Sequence, residues 1–239
     1  MIRMQVSAVF QVRDSFTGLP IEGSRMLSRL DGALVRLQTK PGGYLVAVNI
    51  LPGKHQLMIQ CSGFQDEYVD FEAGYGFHEY YVTLKPSRQY LFRQSVTRLQ
   101  LQMPAEMKNS QVWISAPGYV ECKVAQTKAE AGCERFRVYC KGSSAGLPVP
   151  GAFLIEDGEN SEVVLLSGLS EEECVLESPL QREHARSRRL LPVMLYRTDA
   201  EAGIYAAFSR AGVVVVYSGS GQPLSRELTE GDNCWNLNG

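Results

Sequence analysis

Short runs of alternating apolar and polar residues, separated by glycine and proline, constrain the fold of this chain more than any other feature. In VSAVFQVRD, the apolar residues share one face of an extended chain: Val6, Ala8, Phe10 and Val12. This period of two residues predicts a half-buried strand. Similar runs follow at spacings near the roughly 8–12 residues typical of a β-sandwich, and no stretch from 1 to 88 has a helical period. We therefore predict an all-β protein.

The segment LKPSRQ indicates a boundary within the 239 residues, a length sufficient for two domains of ordinary size. It follows the last apolar strand of the N-terminal part and has the composition of a linker. We predict two consecutive β-sandwich domains of the Ig or transthyretin-like type, over residues 1–87 and 88–239. The best helical pattern, LSEEECVLESPLQREHARSRR, is interrupted by Pro179, so we expect a charged loop or one or two helical turns there.

A six-residue pattern occurs twice, as GLPIEG at Gly18–Gly23 and as GLPVPG at Gly146–Gly151. Each copy follows an alternating strand, and a shift of 128 residues superposes the apolar faces of the two strands. The pattern suits a strand–turn–strand unit because proline fixes φ and glycine relaxes the backbone. Two interpretations remain open, namely a duplicated domain and a turn that recurs in two unrelated sandwiches.

Residues 6–86 resemble the carboxypeptidase regulatory-like domain, a small transthyretin-like β-sandwich. The resemblance covers about a third of the chain and rests on the family's turns and strand ends: Gly18, Pro20, Ile21, Gly23, Gly43, Tyr44, Pro52, Gly53, His55, Gly63, Phe64, Val82 and Leu84. The C-terminal part resembles the family more weakly. The resemblance implies a structural, stabilising or adhesive module without peptidase activity, because the zinc site of such enzymes belongs to a different domain.

Motifs for catalysis and metal binding are weak in this sequence. The three histidines, His55, His78 and His184, do not have the spacing of a zinc hydrolase, and we expect no metal and no cofactor. Ser144 lies in a formal Gly-x-Ser-x-Gly pattern, but the prolines that follow prevent the helix that a nucleophile elbow requires. We therefore expect a turn there, and no enzyme activity.

The charge of the chain argues against a nucleic-acid ligand. The formal net charge is −2, so no global basic field is present. One basic segment, QREHARSRR, could meet an anion, RNA or an acidic partner surface. The favoured interpretation is a solvated loop that compensates Glu171, Glu172 and Glu173.

The segment EAGYGFHEYY contains the strongest candidate for a binding site. Glycines flank Tyr75, and Phe77 and His78 follow directly, so these three residues are predicted at the tip of a loop. Aromatic residues at such a tip suit a protein partner or stacking on a sugar. The alternative is that they pack over the open end of the sandwich.

The six cysteines form no Cys-x-x-Cys pair, and no signal peptide or membrane-spanning segment is visible. We therefore predict a cytoplasmic protein with reduced, partly buried thiols and no membrane partner. The alternatives for the cysteines are disulfides and a metal site.

The sequence favours a non-enzymatic structural or protein-interaction protein. We expect a protein partner or self-assembly, as in an accessory component of a phage-tail-like or contractile injection particle. The alternative is a carbohydrate-binding module, for which a row of exposed aromatic residues on one sheet face would be the distinguishing feature.

Overall fold

The computed structural model describes residues 5–74, 78–119, 122–141, 147–170 and 172–237. These residues form 22 strands joined by turns and short 3-10 segments, which confirms the all-β prediction. The chain divides into two compact units. Unit 1 contains Met1–Gln94 with Tyr205–Ala207, and unit 2 contains Ser95–Ile204 with Phe208–Gly239. No helix among the described residues is both long and apolar enough to cross a membrane.

Unit 1 is a sandwich of two four-stranded sheets. Its strands are β1 Val6–Asp14, β2 Met26–Leu30, β3 Ala33–Val35, β4 Gln38–Lys40, β5 Tyr44–Val48, β6 Gly53–Cys61, β7 Glu67–Ala73 and β8 Glu79–Leu84. One sheet has the order β4-β5-β1-β8 and the other the order β3-β2-β6-β7. The first and last strands, β1 and β8, pair in parallel, while the other pairings described in this unit are antiparallel.

Alternation along the strands builds the core of this first sandwich. The inward side chains of β1 and β8 are Ala8, Phe10 and Val12 with Val82 and Leu84, all of them buried. Phe10 is fully buried between two aromatic rings. Its ring centroid lies 5.1 Å from that of Phe71 and 5.4 Å from that of Tyr80. The inner face predicted for β1 is therefore confirmed at Ala8, Phe10 and Val12. It is wrong at Val6, which is 41% exposed beyond a register shift between Val6 and Ala8.

The remaining fourteen strands of the described chain belong to unit 2, except that Tyr205–Ala207 in the middle of β19 group with unit 1. They are β9 Thr97–Gln102, β10 Gln111–Ser115, β11 Cys122–Val124, β12 Lys128–Ala129, β13 Arg135–Cys140, β14 Gly151–Glu156, β15 Glu162–Leu169, β16 Glu173–Leu176, β17 His184–Ala185, β18 Arg189–Arg197, β19 Gly203–Phe208, β20 Gly212–Tyr217, β21 Leu224–Leu228 and β22 Gly231–Asn236.

Seven of these strands form a second sandwich with the strand order of the first. The sheet β19-β9-β22 corresponds to β5-β1-β8, and β18-β10-β20-β21 corresponds to β3-β2-β6-β7. The first and last strands again pair in parallel, here β9 with β22. The second sandwich is discontinuous along the chain, because seven strands intervene between β10 and β18.

The intervening segment forms a six-stranded antiparallel barrel with β18. The strand order is β11-β13-β16-β15-β14-β18, and β18 pairs with β11 to close the ring. The interior is a single apolar cluster that includes Phe136, Phe153, Ile155, Leu166 and Leu190. In the first sandwich the equivalent position is only a two-residue turn between β2 and β3. The barrel is therefore an insertion into one hairpin of the second sandwich.

Strand β18 belongs to both parts of unit 2. Its first half, Arg189 to Pro192, pairs with β14 in the barrel, and its second half, Val193 to Arg197, pairs with β10 in the sandwich. Outward side chains of the barrel, such as Leu154, pack against Val215 and Tyr217 of the sandwich. The barrel and the second sandwich thus share a strand and an apolar contact.

The position of the repeated hexapeptide shows that it is a local turn pattern. Gly18–Gly23 follows β1 of a sandwich, whereas the second copy precedes β14 of the barrel; its Gly146 lies outside the described residues. The sandwich strand equivalent to β1 is β9, so the 128-residue shift does not align equivalent strands of the two sandwiches. The final glycine is required in both turns, because a Cβ atom would overlap Thr39 at Gly23 and the Pro148 carbonyl at Gly151.

Two further expectations for unit 2 are corrected. The candidate helix contains strand β16 instead, because Cys174 and Leu176 alternate into the barrel core and β16 pairs with β13 and β15. Cys122 and Cys140, expected as thiols, form a disulfide between adjacent strands. Their Cα atoms face each other in the β11–β13 register at 4.2 Å, although 18 residues separate them in sequence.

Candidate functional site

One cavity of unit 1 is an aromatic pocket at the end of the sandwich where β1 and β8 finish. Its volume is about 890 Å³, and its aromatic walls come from Phe16, Phe64, Tyr90 and Phe92. The ring of Phe92 lies 5.0 Å from that of Phe16 and 4.7 Å from that of Tyr90, and Phe64 lies 5.2 Å from Tyr90. These four residues are far apart in the sequence and converge because strand ends meet at the rim of a sandwich.

A buried carboxylate fixes the polar side of the aromatic pocket. Asp14, the last residue of β1, accepts hydrogen bonds from the Phe16 amide at 2.8 Å and from the Thr17 hydroxyl at 2.9 Å. It also accepts one from the Tyr90 hydroxyl at 2.5 Å. Burial, followed by this bond to Asp14, raises the pKa of Tyr90 to about 12. Tyr90 therefore remains a protonated donor near neutral pH, and the segment after β8 is held against the end of β1.

Two leucines leave the mouth of the aromatic pocket strongly apolar. Leu19 is 64% exposed and Leu91 is 89% exposed, and both line the cavity. Charged side chains, including Glu22, Arg25 and Arg93, surround them. An aromatic cavity with exposed aliphatic residues and a charged rim suits the apolar side chain of a protein partner.

Of the loop tip predicted as a binding site, only His78 belongs to the described residues. Tyr75 and Phe77 fall outside the described residues. His78 is exposed, and its carbonyl accepts the Val9 amide at 2.9 Å. Since β8 begins beside Val9 and ends beside Asp14, His78 and the aromatic pocket are at opposite ends.

A second cavity of about 670 Å³ occupies the end of the sandwich where β8 begins, and His55 is one of the residues that line it. His55 Nδ1 lies 2.7 Å from an Asp31 carboxylate oxygen, and His55 Nε2 lies 2.8 Å from the Leu51 carbonyl. The bond to Asp31, followed by that to Leu51, raises the pKa of His55. The pKa of Asp31 is lowered, first by the Gln56 amide and then by His55. With both ring nitrogens engaged, His55 connects the β2–β3 turn to β6 and is not free to act as a base.

The barrel contains a buried ionic cluster around His184, whose side chain is fully buried. His184 Nδ1 lies 3.2 Å from Asp157 Oδ2, and Nε2 lies 2.8 Å from Glu162 Oε1. Burial alone would raise the pKa of Glu162. Hydrogen bonds from His184 and from the Gln181 and Arg182 amides outweigh that effect and lower it.

The arginines predicted to form a solvated loop take part in this cluster and its surroundings. Arg188 binds Asp157 at 2.7 Å and Arg189 binds Glu156 at 2.5 Å. Arg182 donates to the carbonyls of Glu159 and Ser161. These partners belong to β14 and the β14–β15 connection, not to the Glu171–Glu173 run that the sequence suggested. The arginines therefore hold the segment after β16 against the barrel.

Sequence reasoning missed the aromatic pocket because its residues lie in segments that were interpreted as a turn and a linker. The available signal was the apolar triplet Tyr90-Leu91-Phe92, which directly follows the LKPSRQ segment. Ser144, weighed as a nucleophile, lies outside the described residues. Among the described residues, no group of three or more His, Cys, Asp or Glu side chains is arranged to hold a metal ion.

Comparisons with known proteins give only remote structural similarities. No protein family and no curated protein matches the sequence. Similar solved structures include the Bacillus anthracis TIE protein, at 8% identity and a TM-score of 0.30 over 97% of this chain and 33% of that chain. BcpA, the major pilin subunit of Bacillus cereus, gives 8% identity and a TM-score of 0.29 over 98% and 99%.

A streptococcal ancillary pilin gives 8% identity and a TM-score of 0.28 over 98% of this chain and 61% of that chain. The present chain thus spans about a third of the TIE protein chain and three fifths of this pilin chain. TM-scores of this size do not establish a shared fold, so the properties of these proteins are not transferred here.

Proposed function

We propose that this chain is a non-enzymatic structural and protein-interaction protein, and that its first sandwich, a carboxypeptidase regulatory-like module, binds a protein partner through the aromatic pocket. The observation that carries this proposal is Leu91, which is 89% exposed at the mouth of a cavity lined by four aromatic rings. A large aliphatic side chain in that position has no packing role. Its apolar surface is removed from water when a partner covers it, which favours binding.

The setting that we propose is an accessory position in a larger assembly, such as a phage-tail-like or contractile injection particle. Two sandwiches of one strand order, with a barrel inserted into the second, offer several independent surfaces and suit a connecting component. The histidines support a non-enzymatic role, because His184 is fully buried and both ring nitrogens of His55 are engaged. A cytoplasmic location remains a prediction from the sequence.

Tyr75, Phe77 and His78 remain a proposed second contact with a partner. If Tyr75 and Phe77 contact a partner instead of the core, the double variant Tyr75→Ala/Phe77→Ala changes unfolding free energy by only about 0.5 kcal/mol. It should nevertheless weaken partner binding or self-association. If the two rings pack in the core instead, loss of one packed phenylalanine lowers the unfolding free energy by about 3–5 kcal/mol. Thermal melting measures the change in stability, and size-exclusion chromatography measures the change in association.

The assembly role can be tested by density-gradient sedimentation of tagged protein from the native host. We expect the wild type in high-mass fractions and the variant Leu19→Asp/Leu91→Asp in light fractions. The matched control is Leu27→Asp/Leu34→Asp, which adds the same two charges at residues that are 60% and 68% exposed and do not line the pocket. A wild type found only in light fractions, or equal behaviour of the two variants, would contradict the proposal.

A carbohydrate-binding module is the second candidate function. A specific observation favours it, namely a row containing two tyrosines on the outer face of the sheet β4-β5-β1-β8.

A further inference from the structure

The outer face of the sheet β4-β5-β1-β8 presents three side chains in one row across its strands. Gln11 of β1 is paired in register with Tyr44 of β5 on one side and with Tyr81 of β8 on the other. All three residues alternate with core residues, since Phe10, Leu45 and Val82 are buried on the opposite face. We call Tyr44, Gln11 and Tyr81 the tyrosine row. Its two rings originate two strand spacings apart, about 9–10 Å.

The tyrosines are accessible, while the glutamine between them is largely covered. Tyr81 is 69% exposed and Tyr44 is partly exposed, whereas Gln11 is only 8% exposed. A glutamine this deep on an outer sheet face is unusual, because polar side chains on such a face ordinarily extend into water. The large side chains beside it therefore form the walls of a shallow trough, and the Gln11 amide forms its floor.

One end of that amide has a partner in the protein and the other does not. Gln11 Oε1 accepts a hydrogen bond from Arg13 Nε at 3.2 Å, which fixes the orientation of the amide. Gln11 Nε2 has no hydrogen-bond partner among the described residues. No fully enclosed side-chain nitrogen or oxygen in the described chain lacks a partner, so this NH₂ group is reached from outside, through the trough. It is an oriented donor that can bind an acceptor oxygen of a ligand.

Polar side chains border the tyrosine row on one side, and the neighbouring row on the other side contains Val46, Val9 and Glu79. Lys40 is paired with Tyr44 from β4, and Thr83 is paired with Arg13 from β8. Lys40, Arg13, Thr83 and Glu79 are all exposed. Basic and acidic groups are mixed around the row, which does not suit the uniformly negative backbone of a nucleic acid.

We propose that the tyrosine row binds an extended oligosaccharide. The apolar C–H face of one sugar ring stacks on Tyr81 and that of a ring further along the chain stacks on Tyr44. A hydroxyl or ring oxygen between them accepts the Gln11 NH₂ donor, and the bordering side chains bind outward hydroxyls. Two separated aromatic rings with a recessed amide donor between them match an oligosaccharide, in which apolar sugar faces alternate with hydroxyl groups. A protein hot spot would instead require a continuous, desolvated apolar centre.

This inference deepens the second candidate function and does not depend on the aromatic pocket. The tyrosine row and the pocket share no residue, so each can fail while the other stands. A protein that sediments with the assembly but binds no saccharide contradicts the tyrosine-row proposal alone. A protein that binds saccharide but stays in the light fractions contradicts the pocket proposal alone.

The test is affinity electrophoresis in gels containing cellulose derivative, xylan, glucomannan, glycogen or soluble chitosan, followed by calorimetry with the matching hexasaccharide. We expect the full chain to bind at least one of these probes. Tyr81→Ala and Tyr44→Ala should each weaken binding about tenfold, the size of one aromatic contact. Gln11→Leu, which keeps the side-chain volume but removes the donor, should also weaken binding while the protein stays folded by thermal melting.

Two controls make the result decisive. Tyr139→Ala removes a tyrosine that is 62% exposed on a barrel strand, and Leu91→Asp alters the aromatic pocket. Both should bind the saccharide as the wild type does. The proposal is overturned if no probe retards the wild type, or if Tyr44→Ala/Tyr81→Ala binds as tightly as Tyr139→Ala.

Discussion

At the scale of single residues, buried acids and bases fasten loops to the strands. The clearest case is Glu162, which accepts hydrogen bonds from His184 and from the Gln181 and Arg182 amides. These donors favour the carboxylate form and outweigh the cost of burial, so the pKa of Glu162 is lowered. A lowered folded-state pKa means that stability is present above the unfolded value of about 4.3. That stability is lost as the pH falls through the folded-state pKa.

The variant Glu162→Gln should therefore destabilise the barrel at pH 7. The substitution weakens an acceptor that serves three donors, and leaving buried donors poorly satisfied costs about 1–3 kcal/mol. Chemical denaturation of the variant and the wild type between pH 7 and pH 3 checks this. The difference should be largest at neutral pH and should shrink with acidification. The matched control is Glu173→Gln, whose side chain is 48% exposed in a surface pair. A difference that does not depend on pH would contradict this role of Glu162.

At the scale of strands, β11 and β13 are joined by hydrogen bonds and by the Cys122–Cys140 disulfide. The other four cysteines are free: Cys61, Cys133, Cys174 and Cys234. Burial raises the pKa of the Cys174 thiol to about 12, which keeps it unreactive in the folded protein. A disulfide is typical of an oxidising compartment, so its presence in purified protein bears directly on the predicted cytoplasmic location.

Thiol titration in denaturant without reductant should therefore detect four thiols per chain, and six after reduction. In the folded protein the exposed Cys234 should react first. Cys122→Ser/Cys140→Ser should lower the unfolding free energy by about 3 kcal/mol, the value for closing a loop of this length. Detection of six thiols before reduction would show that β11 and β13 are held by pairing and packing alone.

The sequence predicted where strands form much better than it predicted which strands pair with each other. The alternation around Phe10 and Val82 predicted their inward faces, because a period of two residues is local. Pairing of β10 with β18 joins residues about 80 positions apart, and no local pattern encodes it. The aromatic pocket was missed for the same reason, since Phe16, Phe64 and Tyr90 meet only after both sheets have formed.

At the scale of the whole molecule, the two sandwiches share one strand order, and the barrel replaces a hairpin turn in the second. In the first sandwich, Asp31 and Gly32 make this turn with positive φ angles of 50° and 82°. Such an Asp-Gly turn suits a tight hairpin. In the second sandwich, Ser115 and Val193 are paired directly across from each other at the point where the barrel is inserted.

Replacing residues 116–192 with Asp-Gly should therefore leave a folded second sandwich. We expect a cooperative thermal transition at a lower temperature than in the full chain, because Val215 and Tyr217 lose the apolar cover of Leu154. The matched control replaces residues 116–193, which shifts the register by one residue and turns the inward face of β18 outward. Circular dichroism and melting distinguish the two chains. Equal folding of both would contradict the proposed insertion point.

The central claim is that the aromatic pocket of the first sandwich binds a protein partner, and site-specific photocross-linking in the native host tests it most directly. A photoreactive benzoylphenylalanine replaces Leu91 in one variant and Leu34, an exposed residue away from the pocket, in the other. We predict one discrete cross-linked protein with the residue at position 91, absent at position 34 and lost when Leu19→Asp is added. No cross-link at position 91, or the same products from both positions, would contradict the claim.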